Sequence, residues 1–189
     1  MPYTDDEFEI LGDRHFLLTK RKAIDHTVQL LADVKDSLKD LNIESYSLPD
    51  AAWRSMGKIS KGENYRGLPF VVLDYPSLFE RKNILTFRTM FWWGHYFAVF
   101  VMCSGEMMKW CPLKKLEEKG LKNDYFINPS KDFWNFDLDN GPFVKAEEMR
   151  DGSDIEKTPN SCSVARRLEI KDYKKLPELV TDTFMECFS

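Results

Sequence analysis

Cysteine is scarce in this sequence, and its spacing matches no common cysteine motif. The 189 residues hold four cysteines, at positions 103, 111, 162 and 187, and no two of them follow a CxxC pattern. Small secreted domains held by disulfides are cysteine-dense, and zinc ribbons and thioredoxin-type redox sites need CxxC pairs. The sequence therefore argues against all three classes and favours scattered apolar or surface thiols in a reducing compartment.

The short motifs that mark common catalytic and cofactor sites are also missing. The chain has no GxxxxGK phosphate loop, no GxGxxG, no GxSxG and no HExxH. Its three histidines, His15, His26 and His95, show neither HxH nor HxxxH spacing. We therefore predict no metal site and no cofactor.

No stretch of the chain is apolar for long enough to favour a membrane-spanning helix. The uncharged segment 89–105 has seventeen residues, at the lower limit for crossing a bilayer, and Gly94 and His95 interrupt it. The first ten residues, MPYTDDEFEI, are acidic and lack the apolar core of a signal peptide. We expect a cytoplasmic protein without a membrane segment.

Positive charge is too sparse for a protein that binds duplex nucleic acid. The chain has 27 Lys and Arg against 31 Asp and Glu, a formal net charge of −4. Within 51–90, however, seven basic side chains outnumber three acidic ones. This local excess favours an anionic partner.

Hydrophobic spacing predicts helices towards both ends of the chain. Thr4 and Glu7 form a capping box before a short helix over 5–11. An apolar stripe predicts a long helix over 19–42, and a second stripe predicts a final helix over 172–187. The first stripe consists of Ile24, Val28, Leu31, Val34, Leu38 and Leu41.

Between these helices the sequence favours strands joined by turns. Apolar runs predict strands over 68–75, 84–93, 96–104, 133–138, 143–147 and 163–170. Residues 58–67 read as a loop or a bent edge strand, and 150–162 as a mobile loop. This order predicts a single α+β domain over 1–189, with an antiparallel β-sheet on which a long N-terminal helix and a C-terminal helix pack.

Aromatic residues are abundant and concentrated in one predicted hairpin. The chain has 14 Phe, 7 Tyr and 5 Trp, and seven aromatic residues fall within 87–100. One face of strand 84–93 carries Leu85, Phe87, Thr89, Phe91 and Trp93, and the other carries Ile84, Thr86, Arg88, Met90 and Trp92. A strand that is apolar on both faces is either covered twice or lines a cavity with one face. Core packing and a ligand pocket are both open at this stage.

Two charged residues, Asp74 and Arg88, lie inside these apolar strands. An isolated buried charge is costly, so each needs a partner. In one interpretation they form a structural ion pair. In the other, Arg88 faces a cavity beside Trp92 and offers its planar donor fork to a carboxylate or a phosphate.

The segments GENYRGLP (62–69), LDYP (73–76) and FWWG (91–94) resemble the motif-dense core of uncharacterised bacterial proteins. The resemblance implies a bacterial protein and leads to no functionally defined family. It carries no activity and no catalytic residue over to this sequence.

Three functional hypotheses follow. In the first, a non-enzymatic protein binds a small anionic or aromatic ligand, or a protein partner, through the aromatic sheet face with Arg66, Arg88 and Trp92. In the second, a hydrolase or transferase uses Asp74 or His95 for proton transfer, with Arg66 or Arg88 as an anion clamp. In the third, a homo-oligomer buries its apolar sheet face between copies.

Overall fold

The structure, a computed structural model of the chain, describes residues 2–42, 46, 48–148 and 160–189. Its α-helices are α1 (Asp5–Gly12), α2 (Arg14–Lys39), α3 (Asp50–Trp53), α4 (Leu113–Glu118) and α5 (Leu176–Phe188). Its strands are β1 (Lys58–Tyr65), β2 (Leu68–Phe79), β3 (Ile84–Trp92), β4 (Tyr96–Ser104), β5 (Phe126–Asn128), β6 (Val144–Lys145) and β7 (Ser161–Leu168).

All seven strands belong to one antiparallel sheet, in the order β1-β2-β3-β4-β7-β5-β6. The first four strands follow one another as hairpins, and β7 returns to pair with β4. The long N-terminal helix α2 contacts both β2 and the C-terminal helix α5. These observations confirm the predicted α+β architecture.

Local sequence explains where the N-terminal helices begin and end. The Thr4 hydroxyl accepts from the backbone N–H of Glu7, whose carboxylate accepts from the N–H of Thr4, so the predicted capping box is confirmed. Asp13 then caps α2 by accepting from the N–H of Phe16. The helix therefore begins five residues before the predicted start, because that prediction rested on an apolar stripe whose first buried residue is Ile24.

Each face of the sheet has its own apolar core. Helices α2 and α5 cover the first face, which we call the helix-covered face. Its core includes Leu31, Val34, Leu38, Leu73, Leu85, Phe87, Val99, Val101, Val180 and Phe184. The second, loop-covered face lies under residues 129–143, the covering loop. Its core includes Val72, Met90, Trp92, Ala98, Phe100, Met102, Phe136 and Leu138. The alternation predicted for strand 84–93 is therefore confirmed.

The prediction of a strand over 133–138 is wrong, because these residues lie in the covering loop. Its alternating apolar residues resemble a strand, but Asn135 accepts from the N–H of Asp137, and Asp137 accepts from the N–H of Asp139 and Asn140. Such side-chain bonds to the backbone two or three residues on compete with strand pairing and produce turns.

Other boundaries moved for local reasons. Strand β2 does not end at Pro76 but continues to Phe79 through a cis Tyr75–Pro76 bond, with a register shift between Asp74 and Ser77. Of the strand predicted over 143–147, only the two residues of β6 are in a strand. The three-residue strand β5 was not predicted. The predicted loop 150–162 lies mostly outside the described residues, and its last two residues begin β7.

The uncharged segment 89–105 forms most of the β3–β4 hairpin, as predicted. Among the helices of the described ranges, none has the length and apolar character needed to cross a bilayer.

Candidate functional site

Strand register places Asp74 and Arg88 opposite each other on the loop-covered face. They are direct partners in the β2–β3 ladder. Arg88 donates from Nε to Oδ1 of Asp74 at 2.8 Å and from Nη2 to Oδ2 at 2.9 Å. Thr86 adds a hydroxyl bond to Oδ1 at 3.0 Å. The Asp74 side chain is 8% exposed and that of Arg88 is 12% exposed, so this is a largely buried ion pair, as the structural interpretation expected.

The ion pair leaves part of the Arg88 guanidinium without a partner. An arginine side chain has five N–H donors, and Asp74 takes two of them. No further acceptor among the described residues bonds the rest, and Nη1 is not one of their fully buried atoms without a partner, so Nη1 is open to solvent. Two aromatic rings lie over the guanidinium, with centroids 5.4 Å (Trp134) and 4.9 Å (Phe136) from Cζ. Asp74 and the rings therefore hold the group in one orientation.

Arg88 lines a cavity of about 550 Å³, which we call the Arg88 cavity. Its lining residues are Lys58, Ser60, Tyr65, Phe70, Val72, Asp74, Phe79, Arg88, Met90 and Phe136. Lys58 pairs in register with Asp74, so Lys58, Asp74 and Arg88 form one row across three neighbouring strands. Two cations against one carboxylate give this row a positive balance.

The covering loop that forms one wall of the cavity is tied to the sheet by tyrosine hydroxyls. Tyr65 accepts from the N–H of Phe136 at 2.8 Å. Tyr96 donates to the carbonyl of Phe136 at 3.1 Å and accepts from the N–H of Leu138 at 2.7 Å. Burial is the largest cause that raises the pKa of Tyr96 to about 12. The wall beside Arg88 is therefore fixed by specific bonds as well as by packing.

Arg66 anchors the same loop from outside the cavity. It lies in the β1–β2 turn with a positive φ of 50°, and its Nη1 is 2.7 Å from Oδ2 of Asp137. Asp137 is buried, with 2% of its side chain exposed. Arg66 thus neutralises a buried carboxylate that organises the covering loop, and it is not among the residues that line the cavity.

Trp92 and His95 lie at the other end of β3, beside the hairpin turn. Trp92 is 2% exposed, and its indole N–H donates to the carbonyl of Tyr65. The His95 ring stacks on Trp92 at 3.5 Å between centroids, and its Nδ1 is 3.7 Å from Oδ2 of Asp139. Neither residue lines the Arg88 cavity. Four residues along a strand separate Trp92 from Arg88 by about 13 Å.

The structure therefore brings Asp74 and Arg88 together and keeps His95 away from them. Both oxygens of Asp74 already accept hydrogen bonds from Arg88 or Thr86. The enzyme hypothesis, with Asp74 or His95 for proton transfer, requires these groups and the arginine clamp to share one cleft; Asp74 and Arg88 line the Arg88 cavity, whereas His95 and Arg66 do not.

Sequence reasoning missed the lining residues outside the hairpin. Lys58 and Phe70 come from neighbouring strands, and Phe136 comes from the covering loop. Lys58 and Ser60 are two positions apart on an edge strand, so the sequence could have placed both on one face of the sheet. Phe136 was not recognised as a lining residue because residues 133–138 were predicted to form a strand.

The covered sheet faces also bear on the oligomer hypothesis. Helices cover one face and the covering loop covers much of the other. Six exposed large apolar side chains cluster on α1 and the first turns of α2, and others lie elsewhere, among them Met56, Phe79 and Trp134. The cluster consists of Phe8, Ile10, Leu11, Phe16, Leu17 and Leu18.

In the part of the chain that the structure describes, no group of three or more His, Cys, Asp or Glu residues is placed to hold a metal ion. Comparison of the chain with protein-family models, with curated proteins and with solved structures finds no match.

Proposed function

We propose that this protein binds a small anionic ligand with an apolar or aromatic body in the Arg88 cavity, without transforming it. The observation that carries the proposal is the state of Arg88. Its guanidinium is held in place by Asp74 and two aromatic rings, yet three of its N–H donors have no acceptor among the described residues.

The charge of the ligand follows from the row across the strands. Lys58 and Arg88 flank Asp74, and the Arg88 fork matches the paired oxygens of a carboxylate or phosphate. A fixed donor group needs little reorganisation when it binds, which favours affinity. An anionic head group therefore belongs beside Arg88, with Lys58 as a second contact.

The body of the ligand follows from the other walls. Apart from Ser60, the remaining lining residues are aromatic or apolar: Tyr65, Phe70, Val72, Phe79, Met90 and Phe136. A volume of about 550 Å³ falls within the range of small-molecule sites. Aromatic walls around a few convergent polar groups are typical of sites that orient a ligand by its charged end and desolvate the rest.

Binding without catalysis fits the arrangement better than hydrolysis or group transfer. The cavity offers Asp74 as its carboxylate, and Arg88 and Thr86 already occupy its oxygens. His95, the other candidate for proton transfer, stacks on Trp92 outside the cavity.

Calorimetric titration with phenyl phosphate and phenylacetate tests the proposal. We expect both to bind more tightly than inorganic phosphate, which lacks the ring, and than benzyl alcohol, which lacks the charge. Lys58→Gln removes one cation and is expected to weaken phenyl phosphate binding about tenfold, because one charge-assisted contact contributes about 1.5 kcal/mol.

Lys61→Gln is the matched control. Lys61 lies on the same edge strand, but its register partner is Val71, whose side chain belongs to the helix-covered face. Lys61→Gln should leave the affinity unchanged. If neither aryl anion binds, or if both lysine variants lose affinity equally, the cavity is not the site.

A further inference from the structure

Cys111 and Cys162 lie side by side although 51 positions separate them in the sequence. Their Sγ atoms are 3.0 Å apart, and both are free thiols. Cys111 follows a short 3₁₀ segment, Gly105–Trp110, while Cys162 lies in β7. A disulfide has an S–S distance of about 2.05 Å, so an approach of about 1 Å would join the two sulfurs.

The two cysteines differ in access. Cys111 is partly exposed and lines a cavity of about 440 Å³, whereas Cys162 is 3% exposed. The cavity is also lined by Leu48, Lys109, Trp110, Lys114, Lys115, Glu118, Cys187 and Phe188. Three lysines and one glutamate line this cavity, which leaves it with a positive balance. A small oxidant would therefore reach Cys111 first.

Hydrogen bonding adds to this asymmetry. The bond with Cys162 is the largest cause that lowers the pKa of Cys111, and the backbone N–H of Leu113 contributes in the same direction against the effect of burial. The same pairing, with burial, raises the pKa of Cys162. Cys111 thus has the character of the attacking thiolate and Cys162 that of the resolving thiol.

We propose that Cys111 and Cys162 form a redox-active dithiol, in which a hydroperoxide oxidises Cys111 and Cys162 then closes a disulfide with it. This site lies on the helix-covered side of the sheet, where Cys162 belongs to the core. It is independent of anion binding in the Arg88 cavity.

The reaction balances in two steps. The Cys111 thiolate attacks one peroxide oxygen and the O–O bond breaks, which gives a sulfenic acid and, after proton uptake by the leaving oxygen, an alcohol or water. The Cys162 sulfur then attacks the Cys111 sulfur, and the sulfenic hydroxyl leaves as water with the Cys162 proton. Two thiols are oxidised to one disulfide and one peroxide is reduced.

The other two cysteines provide controls within the same core. Cys103 is the ladder partner of Cys162 but is fully buried, and burial raises its pKa. Cys187 lines the same cavity but is 1% exposed, and burial raises its pKa to about 12. Neither has the access or the thiolate character of Cys111.

Treatment of the reduced full chain with hydrogen peroxide, followed by thiol titration and non-reducing peptide mapping, tests the proposal. We expect the chain to lose two of its four free thiols and to yield one cross-linked peptide pair that contains Cys111 and Cys162. Dithiothreitol should restore both thiols.

Variants identify the order of the steps. Cys162→Ser, which keeps a hydroxyl beside Cys111 but cannot close a disulfide, should stop at a sulfenic acid on Cys111, which dimedone labels, and Cys111→Ser should abolish both label and cross-link. Cys103→Ala should still form the disulfide. The proposal is overturned if the wild-type chain keeps four thiols, or if the cross-link joins a different pair.

Discussion

Arg88 and Asp74 form a two-point ion pair across neighbouring strands, with Nε and Nη2 of the arginine 2.8 and 2.9 Å from the two carboxylate oxygens. Together with the Thr86 hydroxyl, the pair gives both oxygens of Asp74 a donor, and it uses two of the five N–H groups of Arg88. Arg88 is therefore both the structural partner of Asp74 and a lining residue of the Arg88 cavity. The ion pair agrees with the structural interpretation that the sequence left open, and the place of Arg88 in the cavity wall is the observation from which the proposal of anion binding starts.

The first prediction concerns the mutual dependence of this pair. Asp74→Ala leaves a buried guanidinium without its counter-charge, and we expect the free energy of unfolding to fall by about 3 kcal/mol. The double variant Asp74→Leu with Arg88→Met replaces both charges by apolar groups and should recover most of that loss. Urea denaturation of both variants measures the difference.

The same double variant separates stability from binding. It should be folded yet have no measurable affinity for phenyl phosphate, because the fixed donor fork is gone. If the double variant were as unstable as Asp74→Ala, the expected recovery would be wrong, and the ion pair itself would be needed for the packing of this face.

The second prediction concerns Arg66, which contacts Asp137 instead of lining the cavity. Arg66→Gln leaves a buried carboxylate without its cation, and we expect a loss of about 2 kcal/mol in the free energy of unfolding. The affinity for phenyl phosphate should change less than in Lys58→Gln, when both are measured by calorimetry on folded protein.

Arg54→Gln is the control for Arg66. Arg54 pairs with Asp50 at 3.6 Å, and both side chains are largely exposed, so its loss should cost less than about 0.5 kcal/mol. If Arg66→Gln were to abolish binding while leaving stability intact, Arg66 would be a ligand contact, as the first hypothesis had it.

The third prediction concerns Tyr96, whose hydroxyl bonds both Phe136 and Leu138. Tyr96→Phe leaves a buried carbonyl and a buried N–H unpaired, so we expect the free energy of unfolding to fall by about 2 kcal/mol. Tyr173→Phe, on an exposed side chain, should stay within about 0.5 kcal/mol of the wild type.

The dependence of the free energy of unfolding on pH should reflect the ionisation of the Tyr96 hydroxyl. The pKa of Tyr96 rises in the folded chain from 10 to about 12, so folding favours the protonated form. The stabilisation is complete below about pH 10 and is lost as the pH rises towards 12. Denaturation at several alkaline pH values should show a weaker decline in Tyr96→Phe, and identical declines in both chains would contradict the assignment.

Local patterns in the sequence predicted the periodic elements well. The apolar stripe of α2, the capping box at Thr4 and the turn at Gly94 and His95 each depend on residues close together in the chain. Period-two alternation also assigned the two faces of β3, since the side chains of a strand point to opposite sides in turn. The prediction of a strand over 133–138, within the covering loop, failed because Asn and Asp side chains bond the backbone locally and override the same alternation.

The sequence by itself determined the α+β class, the aromatic hairpin and the need of Asp74 and Arg88 for partners, because these follow from periodicity and from the cost of burying a charge. Only the tertiary structure decided that Lys58 lies in one row with Asp74 and Arg88, and that Phe136 of the covering loop lines the Arg88 cavity. It also brought Cys111 within 3.0 Å of Cys162. Such contacts join residues distant in the chain, and strand order and register place them together, which no local pattern in the sequence encodes.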